Sequence, residues 1–202
     1  MDTTRRKRRA ELTYSIVQGE PTRIRSINYE FNDSSLRSII LADSDQSIIS
    51  PGDVLDISHL DAERERIAAY LNNRGYFDFT VNNISYQVDT LGHSHDADLT
   101  MIIRPTLVGY NERGAAQWED NAIYRIGSIN VYPTYDPMLR SSGGFSANAD
   151  IDTTYYHGLN IIRDLNSTPQ LRNGVLRRTI PLYPNYIYNA EQIEHTYNEL
   201  MQ

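Results

Sequence analysis

One phrase of this chain occurs twice, and its return limits what the rest can fold into. RIRSINYEF (Arg23 to Phe31) comes back as RIGSINVYP (Arg125 to Pro133), with Arg-Ile-x-Ser-Ile-Asn kept in place. Self-similarity at a fixed offset marks a repeated supersecondary unit rather than one large core. Arg23 and Arg125 stand 102 residues apart, whereas SIISPGD (Ser47 to Asp53) and TIPLYPN (Thr179 to Asn185) stand 132 apart. The second copy therefore carries an insertion of about 30 residues. Its expected place is Tyr135 to Asn166, which includes RSSGGFSANAD, a stretch that reads as a flexible loop.

Each copy opens with a strand. In the first, Ile24, Ile27, Tyr29 and Phe31 nearly alternate with Arg25, Asn28 and Glu30. Asp33 or Ser34 then caps a helical pattern through Leu36, Ile39 and Ile40. Pro51-Gly52 signals a turn, and a second helix begins near Asp56 or Ser58, with Leu60, Ile67, Ala68 and Leu71 as its buried stripe beside the stem of Arg64. Gly75 is expected to stop that helix in the left-handed region, where a residue without Cβ meets no clash. Phe77, Phe79 and Val81 share one strand parity and Ile84, Tyr86 and Val88 the other, so a break is expected at Asn82-Asn83. ADLTMIIRP supplies a last strand, stopped by Pro105. The unit reads strand, helix, helix, strand, strand.

The second copy reads as a strand over 122–132, the insertion, one strand around 155–163, a short helix over 168–177, and a helix opened by Asn189-x-x-Gln192 with Ile193, Tyr197 and Leu200 on its stripe. Aligning Leu60 with Ile193 sets Gln202 opposite Ala69, so the second copy is expected to stop before its last two strands. At the other end, the alternation of Leu12, Tyr14 and Ile16 reads as the last strand of a preceding unit, and Met1-Asp-Thr-Thr before a basic run reads as a cut from a longer protein. The expected layout is a terminal strand over 1–20, a complete unit over 21–106, a hinge over 107–118 (LVGYNERGAAQW) and a second unit over 119–202 with its insertion at about 135–166.

Composition narrows the possible chemistry. Cysteine is absent, which excludes disulfides, thiolate nucleophiles and cysteine metal sites. A net charge of -7 argues against nucleic acid; Arg5-Arg6-Lys7-Arg8-Arg9 is an isolated basic run, read as a solvated lead-in to a strand. No stretch has the length of apolar residues that a membrane helix needs, and no apolar signal region stands near the N-terminus, so a soluble piece without a direct membrane span is expected. Fifteen tyrosines against four phenylalanines suit half-buried strands, where the ring packs and the hydroxyl stays wet.

The order of elements, repeated in tandem, resembles the POTRA (polypeptide-transport-associated) domain. The residues that carry the likeness are YSIVQGEPTRIRSINYEF, GDVLDISHLDAERERIAAYLNNRGYFDF and ISYQVDT, then YRIGSINVYP and YNAEQIEHTYNEL. They are most similar to the periplasmic arm of BamA/TamA-type outer-membrane assembly factors, nearest to the TamA-like branch of Bacteroidetes-type bacteria. The likeness covers nearly the whole chain outside 135–152; the family's membrane barrel is absent. It implies an α+β fold of tandem β-α-α-β-β units, each with two helices packed on a small mixed three-stranded sheet. It also implies a place on the periplasmic face of the outer membrane, attached to a C-terminal barrel. Implied partners are unfolded outer-membrane proteins or periplasmic and lipoprotein partners, with no cofactor.

No catalytic constellation stands out. His93-x-His95-Asp96 offers too few ligands for a dedicated metal site and reads as a hairpin loop. Asp150 and Asp152 lack the spacing of a calcium loop, His157 and His195 are isolated, no serine sits in a nucleophile elbow, and Gly143-Gly144 has no following Lys-Ser/Thr. The function that remains is geometric: a sheet with a free edge can be completed by an extended peptide. By the family's topology that edge is Asn83, Ile84, Ser85, Tyr86, Gln87, Val88 and Asp89, and a proline at Ser85 or Gln87 is expected to weaken binding there. The other readings are a spacer whose insertion docks a fixed partner, and a metal-dependent enzyme using His93 and His95.

Overall fold

A computed structural model describes residues 2–6, 9–17, 19–90, 92, 95–168 and 171–201. In chain order its strands are β1 (Asp2–Arg6), β2 (Arg9–Thr13), β3 (Arg23–Phe31), β4 (Ile84–Thr90), β5 (Asp96–Ile103), β6 (Thr106–Tyr110), β7 (Ala116–Glu119), β8 (Ile129–Val131), β9 (Ile151–Tyr156) and β10 (Leu159–Asp164). Helices α1 (Arg37–Ala42) and α2 (Ile57–Asn72) lie between β3 and β4; α3 (Asn173–Thr179) and α4 (Ala190–Leu200) follow β10. Mixed helix and sheet around two small cores make this an α+β fold.

The first unit follows the sequence pattern closely. Its sheet has the order β3-β5-β4, with β5 parallel to β3 and antiparallel to β4. Asp56 caps α2 by accepting from Ser58 N at 2.7 Å, and Leu60, Ile67, Ala68 and Leu71 turn inward onto Ile84, Leu99, Met101 and Ile103. A bulge between Ile24 and Ser26 lets Ile24 and Ile27 both face the helices. Glu63, fully buried on α2, is compensated: Ile48 N donates to it at 2.9 Å, and Arg66 clasps it while also reaching Asp43. The expected break at Asn82-Asn83 is one 3-10 turn, closed by a reciprocal cap between Thr80 and Asn83.

The second unit repeats the first in its backbone bonds. Arg23 Nη1 donates to Gly52 O at 2.8 Å, and Arg125 Nη1 donates to Asn185 O at 2.8 Å. Ile24 N donates to Asp53 O and Gly52 N to Ile24 O; Ile126 N donates to Tyr186 O and Asn185 N to Ile126 O. Asn185 takes the left-handed conformation (φ 66°) that Gly52 takes (φ 98°). Asn189 caps α4 through Gln192 N at 2.9 Å, as Asp56 caps α2. The strand order β8-β10-β9 also echoes the first sheet, with β10 parallel to β8 and antiparallel to β9. The chain order does not: this hairpin precedes both helices, and it lies inside the insertion, where a single strand around 155–163 was expected.

Two connecting regions are also more ordered than anticipated. Strands β1 (Asp2–Arg6) and β2 (Arg9–Thr13) pair antiparallel with each other rather than forming one strand. The expected hinge is the hairpin β6–β7, whose turn is held by Asn111 Oδ1 accepting from Arg113 N and Ala115 N.

The units meet at the C-terminal end of α2. Gly75 (φ 101°) ends the helix, and its carbonyl accepts from Tyr124 N at 2.8 Å. Asn189 Nδ2 donates to Asn73 O at 3.0 Å, and Glu191 N donates to Asn73 Oδ1 at 3.0 Å. Phe77 packs on Tyr124 and, edge to face, on Tyr188, while the Tyr124 hydroxyl donates to Asp78. A second clasp forms where Asn121 donates twice to buried Asp33 Oδ2, at 2.8 and 2.9 Å.

Candidate functional site

Backbone register decides which part of 83–89 can receive a peptide. Arg104 N donates to Asn83 O at 2.8 Å, and Ile84 stands opposite Ile103. In an antiparallel pair the bonded positions alternate, so the peptide groups of Ser85, Gln87 and Asp89 are used by β5. Those of Ile84, Tyr86, Val88 and Thr90 point outward. A proline at Ser85 or Gln87 would thus strike the inner ladder instead of the edge, which corrects the sequence-based choice of positions.

The seven residues divide by role. Asn83 is buried and structural: its Nδ2 donates to Arg104 O, Pro105 O and Thr106 Oγ1 at 3.1–3.3 Å, while its Oδ1 accepts from Thr80 N. Ile84 belongs to the core, and Ser85 Oγ is buried without a hydrogen-bond partner. The Tyr86 hydroxyl donates to Leu60 O at 3.2 Å; burial, with the Glu63 charge adding, pushes its pKa well up. Only Gln87, Val88 and Asp89, with Thr90 beyond the expected span, are exposed. The accessible stretch is therefore the second half of β4.

The two borders of this sheet differ. Along β3, the loop 52–55 occupies the start: Ile24 N donates to Asp53 O at 2.9 Å, Gly52 N to Ile24 O at 2.7 Å, and Leu55 N to Thr22 O at 2.9 Å. Along β4, no strand or loop takes the outward groups of Tyr86 and Val88 among the described residues; the Thr90 carbonyl accepts from Gly92 N at 2.7 Å. One border is plugged and the other is open.

Of the proposed metal ligands, His93 lies outside the described residues, and His95 Nε2 stands 3.4 Å from Glu20. Among the described residues no three His, Asp or Glu side chains converge, and no helix is long and apolar enough to cross a membrane. Sequence reasoning did not single out the joint residues Asn73, Asp78, Asn121 and Tyr124. Their one signal was the crowding of polar and aromatic residues on either side of Gly75.

Residues 22–106 match the family described as "POTRA: Surface antigen variable number repeat". No curated protein matches the chain. Among solved structures it resembles Haemophilus influenzae BamA POTRA3-5, at 12% identity and a TM-score of 0.46, over 89% of this chain and 49% of that one. It also resembles the N-terminal domain of Omp85 from Thermosynechococcus elongatus, at 9% identity and a TM-score of 0.28, over 91% of this chain and 86% of the other. The chain spans about half the length of the first of these structures. The segment that matches POTRA by sequence is thus the first unit, from the residue before β3 to the start of β6.

Proposed function

We propose that this chain is the periplasmic POTRA region of an outer-membrane assembly or translocation factor, and that its first unit receives extended polypeptide along β4. The POTRA match over 22–106 supports a periplasmic polypeptide-binding region. The observation that carries the finer reading is the contrast between the plugged β3 border and the open β4 border. An incoming strand would bond the peptide groups of Tyr86 and Val88 and so tolerate many client sequences. The parent would hold a C-terminal barrel, and the sequence motifs favour the TamA-like branch. The units would span 21–106 and 119–202, and no catalytic role is assigned.

Val88→Pro removes one outward donor from an edge position where proline is tolerated. It is expected to weaken capture of a urea-unfolded outer-membrane β-barrel protein by about tenfold, the loss of one or two backbone bonds, with the circular dichroism spectrum unchanged. Unchanged capture would reject this edge. The bonds between Gly75, Asn73 and the second unit favour a companion reading, a spacer that sets the bearing of successive units, with the 135–166 insertion docking a fixed periplasmic or lipoprotein partner. Crosslinking from the insertion separates the two: a single adduct supports the spacer, and a heterogeneous set supports clients.

A further inference from the structure

The turn that ties down the second unit's first strand shares a backbone with its counterpart but not its side chains. By the bonds to Ile24 and Ile126, Tyr183-Pro184-Asn185-Tyr186 corresponds to Ser50-Pro51-Gly52-Asp53. Gly52 and Asn185 take the same left-handed conformation, and each carbonyl accepts from an arginine Nη1 at 2.8 Å. The first unit makes this turn without an aromatic residue, so the two tyrosines of the second answer no backbone need. Both stand out of the core: Tyr183 is 42% exposed and Tyr186 64%, with ring centroids 5.3 Å apart.

The β9–β10 turn, which belongs to the insertion, arrives at the same place. His157 and Gly158 both take positive φ, as a two-residue hairpin turn requires. A Cβ at Gly158 would sit 3.1 Å from Pro184 Cδ, so glycine lets the hairpin lie against that proline. Tyr155, 72% exposed, then lines an open cleft of about 540 Å³ with Tyr183, Pro184, Asn185 and Tyr186.

A second cleft, of about 490 Å³, shares His157 and Tyr183 as its wall and is lined beyond them by Tyr156, Arg177 and Arg178. Arg177 is held in place: its Nη1 donates to His157 O at 3.3 Å and Leu182 O at 2.9 Å, and its guanidinium lies over the Tyr183 ring at 4.0 Å. Its Nη2 is buried without a partner, and Arg178 beside it is exposed. Among the described residues neither arginine is in an ion pair, and no carboxylate lines either cleft.

We infer that the two adjoining clefts form a binding site for a proline-rich segment that carries an acidic residue. A polyproline II segment has no internal hydrogen bonds, so its carbonyls are open to tyrosine hydroxyls and the Asn185 amide while its rings pack on the tyrosines. Three residues make one turn of that helix, so a proline and an acid at this spacing lie along one edge, one for each cleft. The uncompensated Arg177–Arg178 pair sets the sign of the charge. A glycan offers mainly hydroxyl donors, which carboxylates accept well, and their absence from both clefts favours polypeptide. The site includes insertion residues and rests on the companion reading, in which the insertion docks a partner; it is independent of client capture along β4.

The test titrates the chain into fluorescein-labelled Pro-Pro-Pro-Glu-Pro-Pro and reads anisotropy. Saturable binding is expected, weakened about tenfold by Tyr186→Ala with the circular dichroism spectrum unchanged. Arg178→Glu should weaken that peptide and strengthen the same peptide with Lys in place of Glu, a reversal that misfolding would not give. No saturable binding, or equal binding of Gly-Ser-Gly-Glu-Ser-Gly, overturns the site. Saturable binding of chitotetraose in place of the peptide would make the ligand a glycan and overturn it as well. Resonances of Tyr155 and Tyr186 that shift with protein concentration alone would name a second copy as the occupant, against this inference. A single crosslinked adduct from the insertion, with no peptide bound, would keep the docking role and discard this ligand.

Discussion

The two units start from the same phrase and end with unequal cores. Among the described residues the first gathers fourteen buried side chains into one cluster, and the second gathers four. The bonds that tie each first strand to its turn correspond, Arg23–Gly52 to Arg125–Asn185, and each second helix is capped by its own N-cap side chain, Asp56 or Asn189. Local backbone geometry is thus set by short motifs whether or not a full core forms above them. What differs is the place of the hairpin in the chain, after both helices in the first unit and before them in the second, and the covering of the second helix: Ile67 is 2% exposed, and Leu200, placed seven residues past Ile193 as Ile67 is past Leu60, is 48% exposed.

The largest expected effect probes this inequality directly. Ile67→Ala should destabilise the first unit by about 3 kcal/mol, the range for emptying a buried aliphatic site, while Leu200→Ala at the matching position should cost less than about 1 kcal/mol. Urea unfolding of the two variants measures both, and equal losses would mean that α4 is covered after all. Next is Gly75→Ala. Its Cβ would stand 2.7 Å from Ile123 Cγ2 and 2.8 Å from Ile187 Cγ2, at a φ that suits only glycine. A loss of about 2 kcal/mol is expected, together with a changed distance between the units measured by paired spin labels; an unchanged distance would break the case for the joint.

The smallest effect is one of pH. Burial pushes the Asp33 carboxyl up, but hydrogen bonds from Ser35 and Asn121 outweigh it and hold its pKa below the ordinary value. With the folded pKa depressed, the clasp's contribution is complete above the unfolded value of about 4 and is lost as pH falls through the folded pKa. The Asn121 amide resonance should therefore shift at acid pH below about 4. Asp33→Asn should abolish that titration, and a shift centred near neutrality would assign it to another group.

Much of this was legible in the sequence because it is local. The alternation of Ile27, Tyr29 and Phe31, the caps at Asp56 and Asn189, and the stop at Gly75 each depend on neighbours within one turn or one strand. The candidate edge was legible as a segment but not as a register. Parity alone cannot say whether Gln87 or Val88 gives its N–H to β5, because that follows from the long-range Arg104–Asn83 bond. The same limit hid the second hairpin: Ile151 to Asp164 alternates weakly, and its Tyr-His-Gly-Leu turn carries no strong signal. Glu63 was invisible as a core residue because its burial depends on Ile48 and Arg66 arriving together. The hairpin β6–β7 was hidden in the same way, since its exposed faces give no apolar period.

The seat of the second unit on the last turn of α2 has a further consequence. A helix advances about 1.5 Å and rotates about 100° per residue. One residue more or fewer between Asp56 and Gly75 would swing the joint by that angle away from the stripe that Leu60, Ile67 and Leu71 bury. The stripe that packs the first unit therefore also fixes the azimuth at which the second is seated.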